Sequence, residues 1–252
     1  MLAIKYSLHF WVSSCIFLSL LVATTLLTTA PLPISPPQAL LLSSLYTPIL
    51  ATGIFFGNHD KNIRSMSTGK NKDVKFSKAT FCDSCWSYGP RFLPSFIAIL
   101  SSHLLTILNF CTTVNIKDGH EAQICKEQFP QQLSFLQDVN MTFATITLIF
   151  SSLTFISSTD HLWRYKLKKC WHLLIISALL IAGHMLFLLF RGLALSHPSP
   201  LTPECWAILA SGVCANFAIN ELVKRHQIKA SVRSQKRARL EFGTKLGINS
   251  PF

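Results

Sequence analysis

Six stretches of the chain are almost purely apolar, and the charged residues gather in blocks between them. The runs cover about residues 8–29 (span A), 39–56 (B), 92–114 (C), 143–158 (D), 171–190 (E) and 206–223 (F). A helix of about 20 apolar residues crosses a hydrocarbon core of about 30 Å. The pattern therefore predicts an all-α, polytopic membrane protein, with a six-span transmembrane domain over 1–223. A basic loop over 57–91 and a basic tail over 224–252 fall outside the runs. Between A and B, Pro31, Pro33, Pro36 and Pro37 forbid continuous helix and leave a short turn, so these two spans form a hairpin.

Lys and Arg alternate along the connecting segments: 1 in the N-terminal stub, then 0, 7, 2, 4 and 1 in successive loops, and 8 in the tail. Positive loops are retained on the cytosolic side. With both termini cytosolic, 20 of the 23 basic residues lie on that side. The competing reading of span A is a cleaved signal peptide, with Lys5 ahead of the apolar run and Thr28-Thr29-Ala30 as its cleavage site. The apolar core of such a signal is usually about 7 to 15 residues, and span A is longer, which favours a retained helix.

Composition sharpens the class. Of 252 residues, 50% are hydrophobic and 13% charged, where an average soluble domain has about 25% charged residues. The net charge of +12 would suit a nucleic-acid binder, but such a protein spreads its basic residues over one polar face. Here they punctuate apolar runs, and no nucleic-acid partner is expected. In the tail, Lys224, Arg225, Lys229, Arg233, Lys236, Arg237 and Arg239 form a basic cluster just past a span. It reads as a contact for anionic membrane lipid, worth about 1 kcal/mol per basic residue near the surface, or as a plain topology anchor.

Polar residues inside the spans recur at helical spacing: Ser95, Ser102, Thr106, Asn109 and Thr113 in C, Thr147, Ser151, Thr154 and Ser158 in D, and Gly212, Asn216 and Asn220 in F. Each set faces inward, either to pack helices, as small and hydroxyl residues do in membranes, or to line a polar path. His103 and His184 are the ionisable residues at depth, and such groups face the bundle interior. The C–D loop collects Asp118, Glu121, Glu127 and Asp138, leaving the middles of the spans without carboxylate. Span B holds Tyr46-Thr47-Pro48 near its centre, where proline removes a backbone hydrogen bond. In transporters, broken helices expose carbonyls to a substrate at mid-membrane. The candidate path is thus Tyr46, Thr47, Pro48, His103, Asn109, His184, Asn216 and Asn220, a weakly charged oxygen-rich set with no defined metal site.

Of the eight cysteines, Cys125 and Cys205 fall on the side opposite the cytosol, where an oxidising lumen would let them pair. Cys82 and Cys85 form a lone CxxC in the basic loop; structural zinc takes four ligands, so reduced thiols are expected there. Asn140-Met141-Thr142 matches a glycosylation acceptor, but at the edge of span D it lies too close to the bilayer for use.

The closing strings Asn220-Glu221-Leu222-Val223-Lys224-Arg225-His226, Val232-Arg233-Ser234-Gln235-Lys236-Arg237 and Thr244-Lys245-Leu246-Gly247-Ile248-Asn249-Ser250-Pro251-Phe252 resemble the C-terminus of the transmembrane protein 94 family. The family is similar to P-type ATPases and is associated with magnesium uptake into the endoplasmic reticulum. The resemblance implies a chain like the C-terminal half of a P-type ATPase membrane domain. It would be a multi-pass protein of the endoplasmic reticulum, with magnesium as the transported ion and upstream cytosolic ATPase domains or partner membrane subunits as its companions. The Asp-Lys-Thr-Gly phosphorylation motif of such pumps occurs nowhere in this chain. No catalytic residue and no cofactor are expected here, and the chain alone is read as no enzyme. A second reading, from another class, is a non-catalytic membrane adaptor whose polar faces pack against a partner.

Overall fold

The computed structural model describes residues 2–28, 31–56, 89–116, 120–155, 171–190 and 202–248, and these are helical apart from the turns that join them. Span A is α1 (Leu2–Thr28). Span B is composite: α2 (Pro36–Leu41), a wide π-turn (Leu42–Tyr46) and α3 (Thr47–Phe56). A 3-10 turn (Gly89–Arg91) leads into α4 (Leu93–Ile116), which is span C. Spans D, E and F are α5 (His120–Phe155), α6 (Trp171–Phe190) and α7 (Pro203–Ile248). Among the described residues, six helices are long and apolar enough to cross a membrane, and the protein is a multi-pass membrane protein.

Helix α5 is the hub. Of its membrane window, Gln132–Phe155, 56% is buried, against 28–39% for the other five windows. It touches α1, α3, α4, α6 and α7. That window begins at Gln132 rather than at the predicted Phe143. Gln132, Gln137, Asp138 and Asn140 lower the hydropathy of the run, yet Asp138 and Asn140 turn inward and are buried. Burial within the bundle removes the penalty of exposing them, so the helix extends through a stretch that sequence assigned to a loop.

Helices α4, α5 and α7 form a tight trio. Gly212 of α7 lies so close to α4 that a Cβ built there would stand 2.2 Å from the Ala98 Cβ. Small residues allow this approach, which is how membrane helices gain dispersion contacts without a hydrophobic driving force. On the other side, α1 packs on α3, with Ser7 Oγ donating to the Ala51 carbonyl at 2.8 Å. Phe10 of α1 meets Phe155 edge-on at 5.5 Å, and Phe17 stacks on Phe92 at 5.3 Å. Helix α6 docks on α3 and α5 through one face, Leu173, Ser177, Leu180, His184 and Leu188, spaced by three or four residues. Its remaining surface, including Leu179, Met185 and Leu189, is apolar and exposed, as a lipid-facing helix requires. Helix α7 does not stop at Val223 but continues to Ile248.

Candidate transport path

The break in span B has a local cause. Pro36 and Pro37 open α2, where missing N–H groups cost nothing, and Gln38 Oε1 reaches back to accept the Ser35 N–H at 2.9 Å. Pro48 then supplies no N–H to the turn before it. The helix widens over Leu42–Tyr46 so that the Leu42 carbonyl receives the Thr47 N–H, five residues on. The Thr47 hydroxyl donates to the same carbonyl at 2.8 Å. Sequence predicted a kink at Pro48; the structure shows a π-turn ahead of it, a feature frequent at functional sites.

Polar groups from α5 and α6 gather around this turn. Tyr46 and His184 are both buried, and their Oη and Nδ1 lie 3.4 Å apart. His184 Nε2 is 3.1 Å from Thr142 Oγ1, and that hydroxyl donates to the Asp138 carbonyl at 2.8 Å. One turn from Thr142, the Asp138 carboxylate accepts a short hydrogen bond from Gln38 Nε2. Of the predicted path residues, Tyr46 and His184 are brought together, with Thr47 and Pro48 next along the chain from Tyr46. Asp138 and Gln38 join them, and sequence missed both. The signal for Asp138 was its helical register with Met141, Thr145, Leu148, Ser152 and Phe155, all buried; hydropathy alone cut the helix short. A carboxylate therefore does lie within a span.

His103 belongs elsewhere. Its Nε2 donates to the Pro31 carbonyl at 2.7 Å, Gln137 Nε2 to the Leu32 carbonyl at 3.0 Å, and Asn140 Nδ2 to the Pro33 carbonyl at 3.0 Å. Three side chains thus hold three successive carbonyls of the A–B turn. Asn140 Nδ2 also faces His103 Nδ1 at 3.3 Å. The amide nitrogen that a glycan would take is buried and engaged, so the Asn140 sequon is closed in this structure.

Asn216 and Asn220 lie in the seam of the trio, away from span B. Asn216 Nδ2 donates to Ser151 Oγ at 3.0 Å, and Asn220 Nδ2 to the Asn216 and Arg91 carbonyls at 2.9 and 3.2 Å. Thr147 donates to Ser95 Oγ at 3.0 Å in the same seam. Asn109 is half-buried on α4, three residues past Thr106. Among the described residues, no group of three or more His, Cys, Asp or Glu side chains stands together as a metal site.

Two further candidates are buried. Cys205 is a free thiol, fully buried, with the Thr202 and Thr106 hydroxyls 3.3 and 3.4 Å from its sulfur. It points into the α4–α7 contact; the side chain of Cys125, its predicted partner, lies outside the described residues, as do Cys82 and Cys85. Lys224 does not face lipid: it is 1% exposed and lies 4.0 Å from Glu221. Beside it, Arg91 donates to Gln227 Oε1 at 2.9 Å and sits 4.1 Å over the Phe155 ring. Arg225, Lys229 and Arg233 are exposed, and the side chains of Lys236, Arg237 and Arg239 lie outside the described residues.

The all-helical membrane domain, with its broken second span and polar interior, is of a cation-transporter-like class, because residues 31–226 match the family described as cation transporting ATPase, C-terminus. The chain belongs to that family. Among curated proteins it is similar to transmembrane protein 94 of Mus musculus, at 27% identity over 253 residues, and of Homo sapiens, at 26%. Each match covers 90% of this chain and 18% of the relative, so the chain spans less than a fifth of the length of the relatives it matches. No solved structure matches it.

Proposed function

We propose that this chain forms the C-terminal half of the transport domain of a P-type-ATPase-like pump in the endoplasmic reticulum, with both termini cytosolic and magnesium as its cargo. The observation that carries the reading is the π-turn of span B, whose Tyr46 meets His184, with Thr142, Asp138 and Gln38 following in one hydrogen-bonded chain. Mg²⁺ dehydrates reluctantly and keeps several waters. One carboxylate with amide, hydroxyl and carbonyl oxygens suits a partly hydrated ion better than a bare one. Phosphorylation and nucleotide binding would reside in upstream cytosolic domains, and the exposed Arg225, Lys229 and Arg233 would meet anionic lipid. The pairing of polar groups of spans C, D and F within the chain supports this reading over an adaptor whose polar faces await a partner.

The test is lumenal magnesium uptake by the full-length protein that contains this chain, carrying Asp138→Asn or Pro48→Ala. Loss of one charged ligand contact is worth about 1.5 to 3 kcal/mol, so uptake through Asp138→Asn falls at least about tenfold. Unchanged uptake by a variant that still folds and assembles removes this path.

A further inference from the structure

In the seam of α4, α5 and α7 the polar links close into a ring. Ser95 of α4 receives the Thr147 hydroxyl of α5 at 3.0 Å. One turn along α5, Ser151 receives the Asn216 amide of α7 at 3.0 Å. One turn along α7, Asn220 donates to the Arg91 carbonyl at 3.2 Å, and Arg91 lies four residues before Ser95, where the circuit began. Steps across the seam of hydrogen-bond length thus alternate with steps of about 6 Å along the helices. All six residues are buried. The Gly212–Ala98 contact closes one end of the ring, and Arg91, laid over the Phe155 ring at 4.1 Å, closes the other.

The ring does not satisfy itself. Among the described residues, neither Asn216 Oδ1 nor Asn220 Oδ1 has a hydrogen-bond partner. Asn220 cannot turn over to mend this, because its Nδ2 serves the Asn216 and Arg91 carbonyls at 2.9 and 3.2 Å, and both can only accept. On the donor side, the Thr147–Ser95 pair uses one of its two hydroxyl hydrogens, and the Ser151 hydroxyl only accepts. Two oxygens therefore lack hydrogens while two hydroxyls have hydrogens to give. A water molecule offers two of each, and buried waters typically make about three bonds to groups the protein leaves unserved. A cation would serve the oxygens but strand the hydroxyl hydrogens, and it would lie beside the buried Arg91 guanidinium. An anion would meet the two amide oxygens head-on.

We propose that the α4–α5–α7 seam holds a bound water, which accepts from the Ser95 and Ser151 hydroxyls and donates to Asn216 Oδ1 and Asn220 Oδ1. Water, rather than direct contact, then joins Ser95 of α4 to the two asparagines of α7. The site stands apart from the candidate transport path, since no group of span B takes part, and its test is independent of flux.

The test is solid-state NMR of the full chain, labelled with ¹³C and ¹⁵N, in lipid nanodiscs, with magnetisation passed from water to protein. The side-chain amide signals of Asn216 and Asn220 are expected to appear at mixing times too short to reach the methyls of Leu209, which is 1% exposed on the same helix. Through-bond correlations assign both asparagines in the unmutated chain, so this comparison depends on no variant. Ser95→Ala removes one hydrogen bond of the water without touching either asparagine, and transfer to the Asn220 amide is expected to be lost. Thr145→Ser, at a buried hydroxyl of α5 that serves the Met141 carbonyl outside the ring, leaves transfer unchanged. Replacing sodium and potassium by N-methylglucamine leaves both signals in place. Asparagine signals that build up no faster than the Leu209 methyls, or transfer indifferent to Ser95→Ala, overturn the proposal. Signals that shift with the monovalent cation overturn it in favour of an ion.

Discussion

Gly212→Ala adds a single methyl where α4 and α7 are closest. The new Cβ would stand 2.2 Å from the Ala98 Cβ, with the Pro94 carbonyl oxygen at 3.5 Å and the Ala98 Cα at 3.7 Å. Non-bonded carbons rest at about 3.5 to 4.0 Å, so the helices must part by well over an ångström along the line of contact. Overpacking of this kind costs about 1 to 3 kcal/mol. The distances also name the cure. With Ala98→Gly in place, the remaining neighbours at 3.5 and 3.7 Å are ordinary contacts, and the clash disappears. The double variant is expected to be more stable than the sum of the singles predicts, with a coupling of about 1 to 2 kcal/mol. Unfolding of the chain in mixed micelles by rising SDS fraction, followed by tryptophan fluorescence, gives all four corners of the cycle. Additive singles, or a neutral Gly212→Ala, would show that α4 and α7 do not approach as described.

Two further outcomes bear on the polar contacts. Asn140→Leu leaves the Pro33 carbonyl and His103 Nδ1 without their donor and is expected to cost about 1 to 3 kcal/mol in the same unfolding assay; a change under about 0.5 kcal/mol would contradict the clamp. Alkylation in denaturant without reductant, followed by peptide mass spectrometry, should find Cys205 labelled as a free thiol, and recovery of a peptide linked through Cys125 would refute this.

The apolar runs made the six helices legible, because lipid demands long uninterrupted hydropathy and internally satisfied backbone. The hairpin turn and the break in span B were legible as well, since proline acts locally. Polar residues within the spans declared which faces turn inward, but not which partner each would find. Asn216 and Asn220 shared helical spacing with one another and not with Tyr46, and only packing assigns them to the trio. Asp138 was hidden for a physical reason: burial by neighbouring helices cancels the penalty that hydropathy counts against it. Lys224 was misread similarly, as a charge just past an apolar run, when Glu221 and the bundle enclose it.

The central position of α5 has a consequence for biosynthesis. A ribosome delivers α1, the proline turn, span B and α4 before residue 120 emerges, and Gln38, Ser95 and the Leu32 and Pro33 carbonyls take their partners from residues 137–147. Until α5 enters the bilayer, the Gln38 amide, the Ser95 hydroxyl, and the Leu32 and Pro33 carbonyls face lipid, headgroups or translocon with those bonds unmade. Unsatisfied polar groups are costly in hydrocarbon, so the half-made protein carries a cost that the arrival of α5 removes. Helix α5 thus supplies the partners of groups that enter the bilayer before it.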